Sequence, residues 1–157
     1  MSVQIDVNDP IGSLARAGVE YDESSTSSSS SFTVGGVPLA GSAIAGERHA
    51  WKLPSPTPLQ VVFVPESLSK MVVKIFKREL QMGDPAFDNV VYIDTADKQV
   101  TARFLGAEAH RDLVLDFVSE GGRVAVDKDR VVFEVKGSAT RDQLVQMAQL
   151  VSGVMAL

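Results

Sequence analysis

Cysteine is absent from this chain. That removes disulfide frameworks, thiolate zinc sites and cysteine nucleophiles, and it points to a reducing compartment. Histidine is almost as scarce, at two residues, and aromatics make up only 6% of the sequence. Few side chains are therefore on offer for general acid–base chemistry or for stacking on nucleic-acid bases. Long apolar runs are missing as well: the longest, around residues 61–65, falls far short of the ~20 residues that span a bilayer. Cationic excess is also lacking, since 15 Lys and Arg face 20 Asp and Glu for a formal charge of −5, whereas polyanion binding needs clustered cations that neutralise phosphates. The opening residues carry Asp6 and Asp9 and no basic-then-apolar order, so no secretion or lipidation signal is legible there. The expectation is a cytoplasmic protein with no nucleic-acid partner and at most a peripheral contact with membranes.

What is present suits one globular domain. A chain of 157 residues with 45% apolar and 22% charged side chains can bury a single core. Residues 1–58 read as a turn-rich N-terminal part with a Ser-rich loop at 24–31, and 59–157 as a compact α+β core, one domain overall. Within the first part, Val3, Ile5 and Val7 alternate like a short strand, Asp9-Pro10 opens a helix that Gly18 stops, 19–22 and 47–53 suit strands, and 32–46 suits an irregular hairpin.

From residue 59 the signals sharpen. Residues 59–64, bounded by Pro58 and Pro65, have the β-branched character of a strand buried on both faces. Leu68, Met71, Val72, Ile75, Phe76 and Leu80 follow helical spacing behind Ser67 as N-cap. A strand at 89–93 follows, then two helices broken at Gly106, the first capped by Thr95 or Asp97 and the second stopped by Gly121-Gly122. Residues 123–127 and 130–135 form an antiparallel hairpin around Lys128-Asp129. Thr140 and Gln143 make a capping box for a last helix with Leu144, Met147, Ala148, Val151, Val154 and Met155 as its stripe. Strands and helices without a repeating β-α rhythm predict an α+β fold, a mixed or antiparallel sheet packed against amphipathic helices.

Chemistry is thinly spread. In Met82-Gly83-Asp84-Pro85-Ala86-Phe87-Asp88 two carboxylates flank a proline-fixed backbone, so Asp84, Phe87 and Asp88 are candidates to meet a partner or its arginine. The same residues are equally suited to capping turns while Phe87 fills the core, and too few carboxylates are gathered for a hard-metal site. Lys70, Lys74, Lys77 and Arg78 share one face of the predicted helix, which offers either a solvated face or an anionic-surface contact. His110 has Asp112 close in sequence, but near neighbours on a helix diverge, and His49 stands alone near Trp51. Gly35, Gly36, Gly41 and Gly46 make neither a P-loop nor a dinucleotide fingerprint, and no GxSxG elbow occurs.

The order of an aliphatic strand at 60–64, a basic stretch at 70–80, Gly83-Asp84-Pro85-x-Phe87-Asp88, a strand, two helices, a hairpin and a final helix resembles a group of uncharacterised bacterial proteins with a GDPxFD segment. The likeness covers about the last two-thirds of the chain. It implies a bacterial α+β domain and carries no established activity. Members often hold transmembrane segments, which this sequence lacks, and Met82 stands where the group's pattern has Thr.

With no catalytic constellation, metal set or cofactor motif legible, the sequence points to a non-enzymatic binding or assembly module that works through protein–protein contacts. A homodimer through 140–157 or through the 123–135 hairpin is its simplest form. The alternatives are a small-ligand or metal-dependent enzyme, in which Asp84 and Asp88 converge with His49 or His110, and a module that docks on anionic membranes.

Overall fold

The computed structural model describes residues 3–26, 33–34, 37–38, 46–68, 76 and 78–157. Asp9 accepts a hydrogen bond from the Gly12 N–H and caps α1 (Pro10–Ala15), with Pro10 at the first helical position. The helix ends before Gly18, whose φ of +93° suits only a residue without a Cβ. The chain then enters β1 (Glu20–Thr26), a small hairpin of β2 (Thr33–Val34) with β3 (Val37–Pro38), and β4 (Gly46–Lys52). β5 (Val61–Pro65), α2 (Pro85–Asp88), β6 (Val91–Thr95), α3 (Lys98–Leu105), α4 (Glu108–Ser119), β7 (Arg123–Asp127), β8 (Arg130–Lys136) and α5 (Arg141–Met155) complete the order.

Six strands form one sheet in the order β1-β4-β8-β7-β5-β6, and every pairing is antiparallel. The fold is α+β. β1 and β4 join the same sheet as the later strands. Alternation divides the side chains. Trp51, Val61, Phe63, Ile93, Val124, Val126, Val131, Phe133 and Val135 face the helices and bury Leu14, Phe104, Leu105, Val114, Phe117, Met147 and Val151 against themselves. Each such side chain contributes roughly 1.5–3 kcal/mol by leaving water. On the opposite face Val62, Val64, Tyr92 and Ala125 form a second buried cluster, against which Phe76 and Val132 pack. Residues 61–64 are thus buried on both faces, as their composition predicts.

Local signals fix the helix ends. Asp97 accepts from the Gln99 and Val100 N–H groups and caps α3. The Thr95 hydroxyl is turned instead to Thr101 and the Gln60 carbonyl. Thr140 and Gln143 form the reciprocal capping box. The β7–β8 hairpin turns through Lys128 at φ +56°. Among the described residues no helix is long and apolar enough to cross a membrane.

Three expectations are corrected. Residues 3–7 do not form a strand: the Ser152 hydroxyl of α5 receives the Val3 N–H and donates to the Val3 carbonyl, so this backbone is satisfied by a helix side chain, and Val7 is 56% exposed. The Ser-rich tract does not begin as loop, because Ser24, Ser25 and Thr26 continue β1 opposite Arg48, Glu47 and Gly46; residues 27–31 lie outside the described residues. Of the helix expected from Ser67 to Leu80, the described ends are not helical, and residues 69–75 and 77 lie outside the described residues. Glu66–Leu68 is a single 3-10 turn, and at the far end Glu79 bridges to Asp94, with Thr95 N–H to Arg78 O at 2.8 Å. Backbone groups along β6 supply hydrogen bonds that outweigh the helical spacing there.

Candidate functional site

β1 and β4 are neighbours in the sheet, and their register sets Glu23 opposite His49 and Tyr21 opposite Trp51. Strand alternation puts Tyr21 and Glu23 on the same face as Glu47, His49 and Trp51. The imidazole of His49 is 1% exposed. Its Nε2 lies 3.1 Å from Glu47 Oε1, and its Nδ1 lies 2.5 Å from the Tyr21 hydroxyl, which in turn stands 3.4 Å from Glu23 Oε2. A carboxylate only accepts, so Nε2 carries a proton and donates to Glu47. Behind these groups the Tyr21 and Trp51 rings pack with centroids 4.7 Å apart. The result is a carboxylate–imidazole–phenol–carboxylate chain that runs from Glu47 through the buried His49, and then Tyr21, to the exposed Glu23.

Electrostatics follow from that geometry. The Ala139 N–H, 2.7 Å from Oε1, and behind it His49 and Glu23, hold the Glu47 carboxyl below its ordinary range in spite of partial burial. Tyr21 moves the other way. Burial, then the charges of Glu23, Glu47 and Asp22, keep its hydroxyl protonated well above the usual phenol range. Among the described residues no Lys or Arg forms an ion pair with Glu23 or Glu47.

The opposite face of the same strands carries an ionic row. Arg48, Glu134 and Arg123 are register partners on β4, β8 and β7, and Arg48 Nη2 donates to Glu134 Oε2 at 3.0 Å. Glu134 is 1% and Arg123 3% exposed, and among the described residues Glu134 Oε1 and the Arg123 Nε and Nη1 atoms have no hydrogen-bond partner. Burial raises the Glu134 carboxyl and lowers the Arg123 guanidinium, and each charge partly offsets the shift of the other.

The residues singled out from the sequence fall elsewhere. Asp84 caps α2 by accepting from the Ala86 N–H, and Asp88 accepts from the Met82 and Gly83 N–H groups through one oxygen each, at 2.9 Å. Phe87 is 1% exposed inside the core. The GDPxFD segment is thus a turn whose carboxylates hold its own backbone, with Phe87 as its apolar plug. It lies beside β6, four strands from β4, and strand spacing of ~4.8 Å puts His49 roughly 19 Å away across the sheet. His110 stacks on Phe104 with centroids 4.4 Å apart and meets the Phe104 carbonyl through Nδ1 at 2.8 Å. Neither histidine is brought to Asp84 and Asp88. Arg78 is exposed, while Lys70, Lys74 and Lys77 lie outside the described residues. The apolar stripe of α5 faces α1, α4 and the sheet, and both hairpin strands, β7 and β8, are paired on both sides.

Sequence reasoning met His49 but missed its partners. The only local signal is the pair of i, i+2 spacings, Tyr21 with Glu23 and Glu47 with His49, which put each pair on one strand face. Comparison of the chain with protein-family models, with curated proteins and with solved structures returns no match.

Proposed function

We propose that this protein is a non-enzymatic binding module that takes an extended, basic segment of a partner protein along the outer edge of β1. One observation carries the reading. β1 is the outermost strand, it pairs only with β4 among the described residues, and it presents Glu20, Asp22 and Glu23 exposed, with Lys52 of β4 opposite Glu20. An open strand edge supplies main-chain donors and acceptors for strand addition, and alternate side chains of the incoming segment supply specificity. The acidic edge disfavours a second copy, because two-fold pairing of β1 sets like charges against each other. A partner strand with Lys or Arg at alternate positions has the opposite sign and gains in encounter rate as well as in contact.

The test is a titration of 15N-labelled protein with a peptide that alternates Lys and Val. Backbone amide shifts should change along Glu20–Thr26, weaken as the screening length falls from ~10 Å at 0.1 M salt to ~3 Å at 1 M, and vanish in the Glu20→Lys/Asp22→Lys double variant. A titration that leaves the β1 amides unmoved refutes the reading.

A further inference from the structure

We propose that Glu23, Glu47 and His49 form a binding site for a divalent transition-metal cation of the zinc class. Each residue offers one ligand atom, and the three atoms lie within 4.8 Å of one another. They come from two hydrogen-bonded strands, so the sheet register itself holds the donor set. The chemistry selects the ion. One imidazole nitrogen with two carboxylates is a mixed nitrogen and oxygen set suited to zinc, cobalt or manganese, whereas calcium takes six to eight oxygens and magnesium keeps to oxygen and water.

Two of the three ligands are already oriented from behind. The Tyr21 hydroxyl fixes the imidazole through Nδ1, which leaves Nε2 turned toward Glu47, and the Ala139 N–H fixes the Glu47 carboxylate. A metal-ligating histidine depends on that kind of outer contact for its tautomer and its angle. Binding takes the imidazole as its other neutral tautomer: the proton passes from Nε2 to Nδ1, which then donates to the Tyr21 oxygen, and the hydrogen bond from Nε2 to Glu47 is replaced by two bonds to the ion. Tetrahedral ligands at ~2.0–2.2 Å from zinc sit about 3.4 Å apart, so a set whose atoms lie within 4.8 Å of one another has to contract by at most about 1.4 Å. The exposed Glu23 side chain has the freedom to supply that contraction. Charge points the same way. The two carboxylates share the cluster with no Lys or Arg paired to them among the described residues. Arg48, between Glu47 and His49 in sequence, lies on the opposite face of the sheet and donates to Glu134.

The site does not depend on peptide capture at the β1 edge, although Glu23 belongs to both. Metal binding is therefore read with no peptide present, and peptide binding in the presence of chelator, so either can fail without the other. Chelator-treated protein is titrated with ZnCl2 by calorimetry near pH 7, and with Co2+ by visible absorption, which reports the ligand geometry. The expected result is one ion per chain, a rise in Tm with Zn2+, and an affinity weakened by about tenfold or more in Glu23→Gln and in Glu47→Gln. His49→Gln should abolish binding and His110→Gln should leave it unchanged. Since His49 is buried, the exposed Glu23→Gln decides the matter should His49→Gln fail to fold. Absence of saturable one-to-one binding overturns the proposal, and so does an affinity that survives Glu23→Gln and Glu47→Gln but falls in His110→Gln.

Discussion

His49 and Glu23 are direct register partners across β4 and β1, and the Tyr21 hydroxyl lies between them within hydrogen-bond reach of both. A buried imidazole is thereby wired to an exposed carboxylate at the edge of the sheet. Glu47 secures the other ring nitrogen, so the histidine is satisfied on both sides without any contact to bulk water. The arrangement makes acid stability a local property of this corner of the fold.

The Glu47 carboxyl titrates below its ordinary value near 4.5 because the Ala139 N–H and then His49 and Glu23 favour its charged form. The unfolded chain therefore binds more protons than the folded one in this window. The stabilisation is complete above the ordinary glutamate range and is lost as pH falls through the lowered folded value. Urea unfolding at a series of pH values should show a shallower acid limb in Glu47→Gln than in the parent. Parallel limbs would contradict the assignment.

Glu134 is the single anion between two arginines in a dry row. Its removal leaves Arg123 buried and uncompensated, so Glu134→Ala should cost about 3–5 kcal/mol in denaturant unfolding. The triple variant Arg48→Met/Glu134→Leu/Arg123→Met should recover most of that loss, since apolar groups of similar volume remove the desolvation cost together with the charges. A Glu134→Ala loss under about 1 kcal/mol would show that the row is hydrated and not buried.

The GDPxFD turn should behave as a structural staple. Asp88→Ala strands the Met82 and Gly83 amides and should destabilise by about 1–3 kcal/mol, and Phe87→Ala by about 3–5 kcal/mol through loss of a filled core position. Asp84→Ala, which removes an N-cap, should cost about 1 kcal/mol. Chemical unfolding of the three variants ranks them, and a neutral Asp88→Ala would point to work for that carboxylate outside its own turn.

Elements announced by a local chemical signal were legible in the sequence. Asp9-Pro10, the Thr140–Gln143 box and the two-residue turn at Lys128-Asp129 each satisfy backbone groups within a few residues, so no distant part of the fold is needed to read them. Elements settled by a remote partner were not. Val3 alternates like a strand, yet its amide and carbonyl are claimed by Ser152 of the last helix. Arg78–Leu80 has helical spacing, yet the edge of β6 offers it a ladder. The corner around His49 was hidden for the same reason. Its four side chains meet only through the pairing of β1 with β4, and no spacing within either strand records which residue lies opposite which. The buried row of Arg48, Glu134 and Arg123 spans three strands and is hidden still more deeply.

The placement of β4 between β1 and β8 also sets a timetable. The Arg48–Glu134 contact joins positions 86 residues apart, and at ~5–20 residues per second a ribosome needs roughly 4–17 s to make that stretch. Over that interval β1 and β4 can pair only with each other, and an isolated two-stranded ribbon is marginal in water. The acidic side chains along β1 then guard a nascent chain, holding a half-made sheet apart from its neighbours until β8 arrives to complete it.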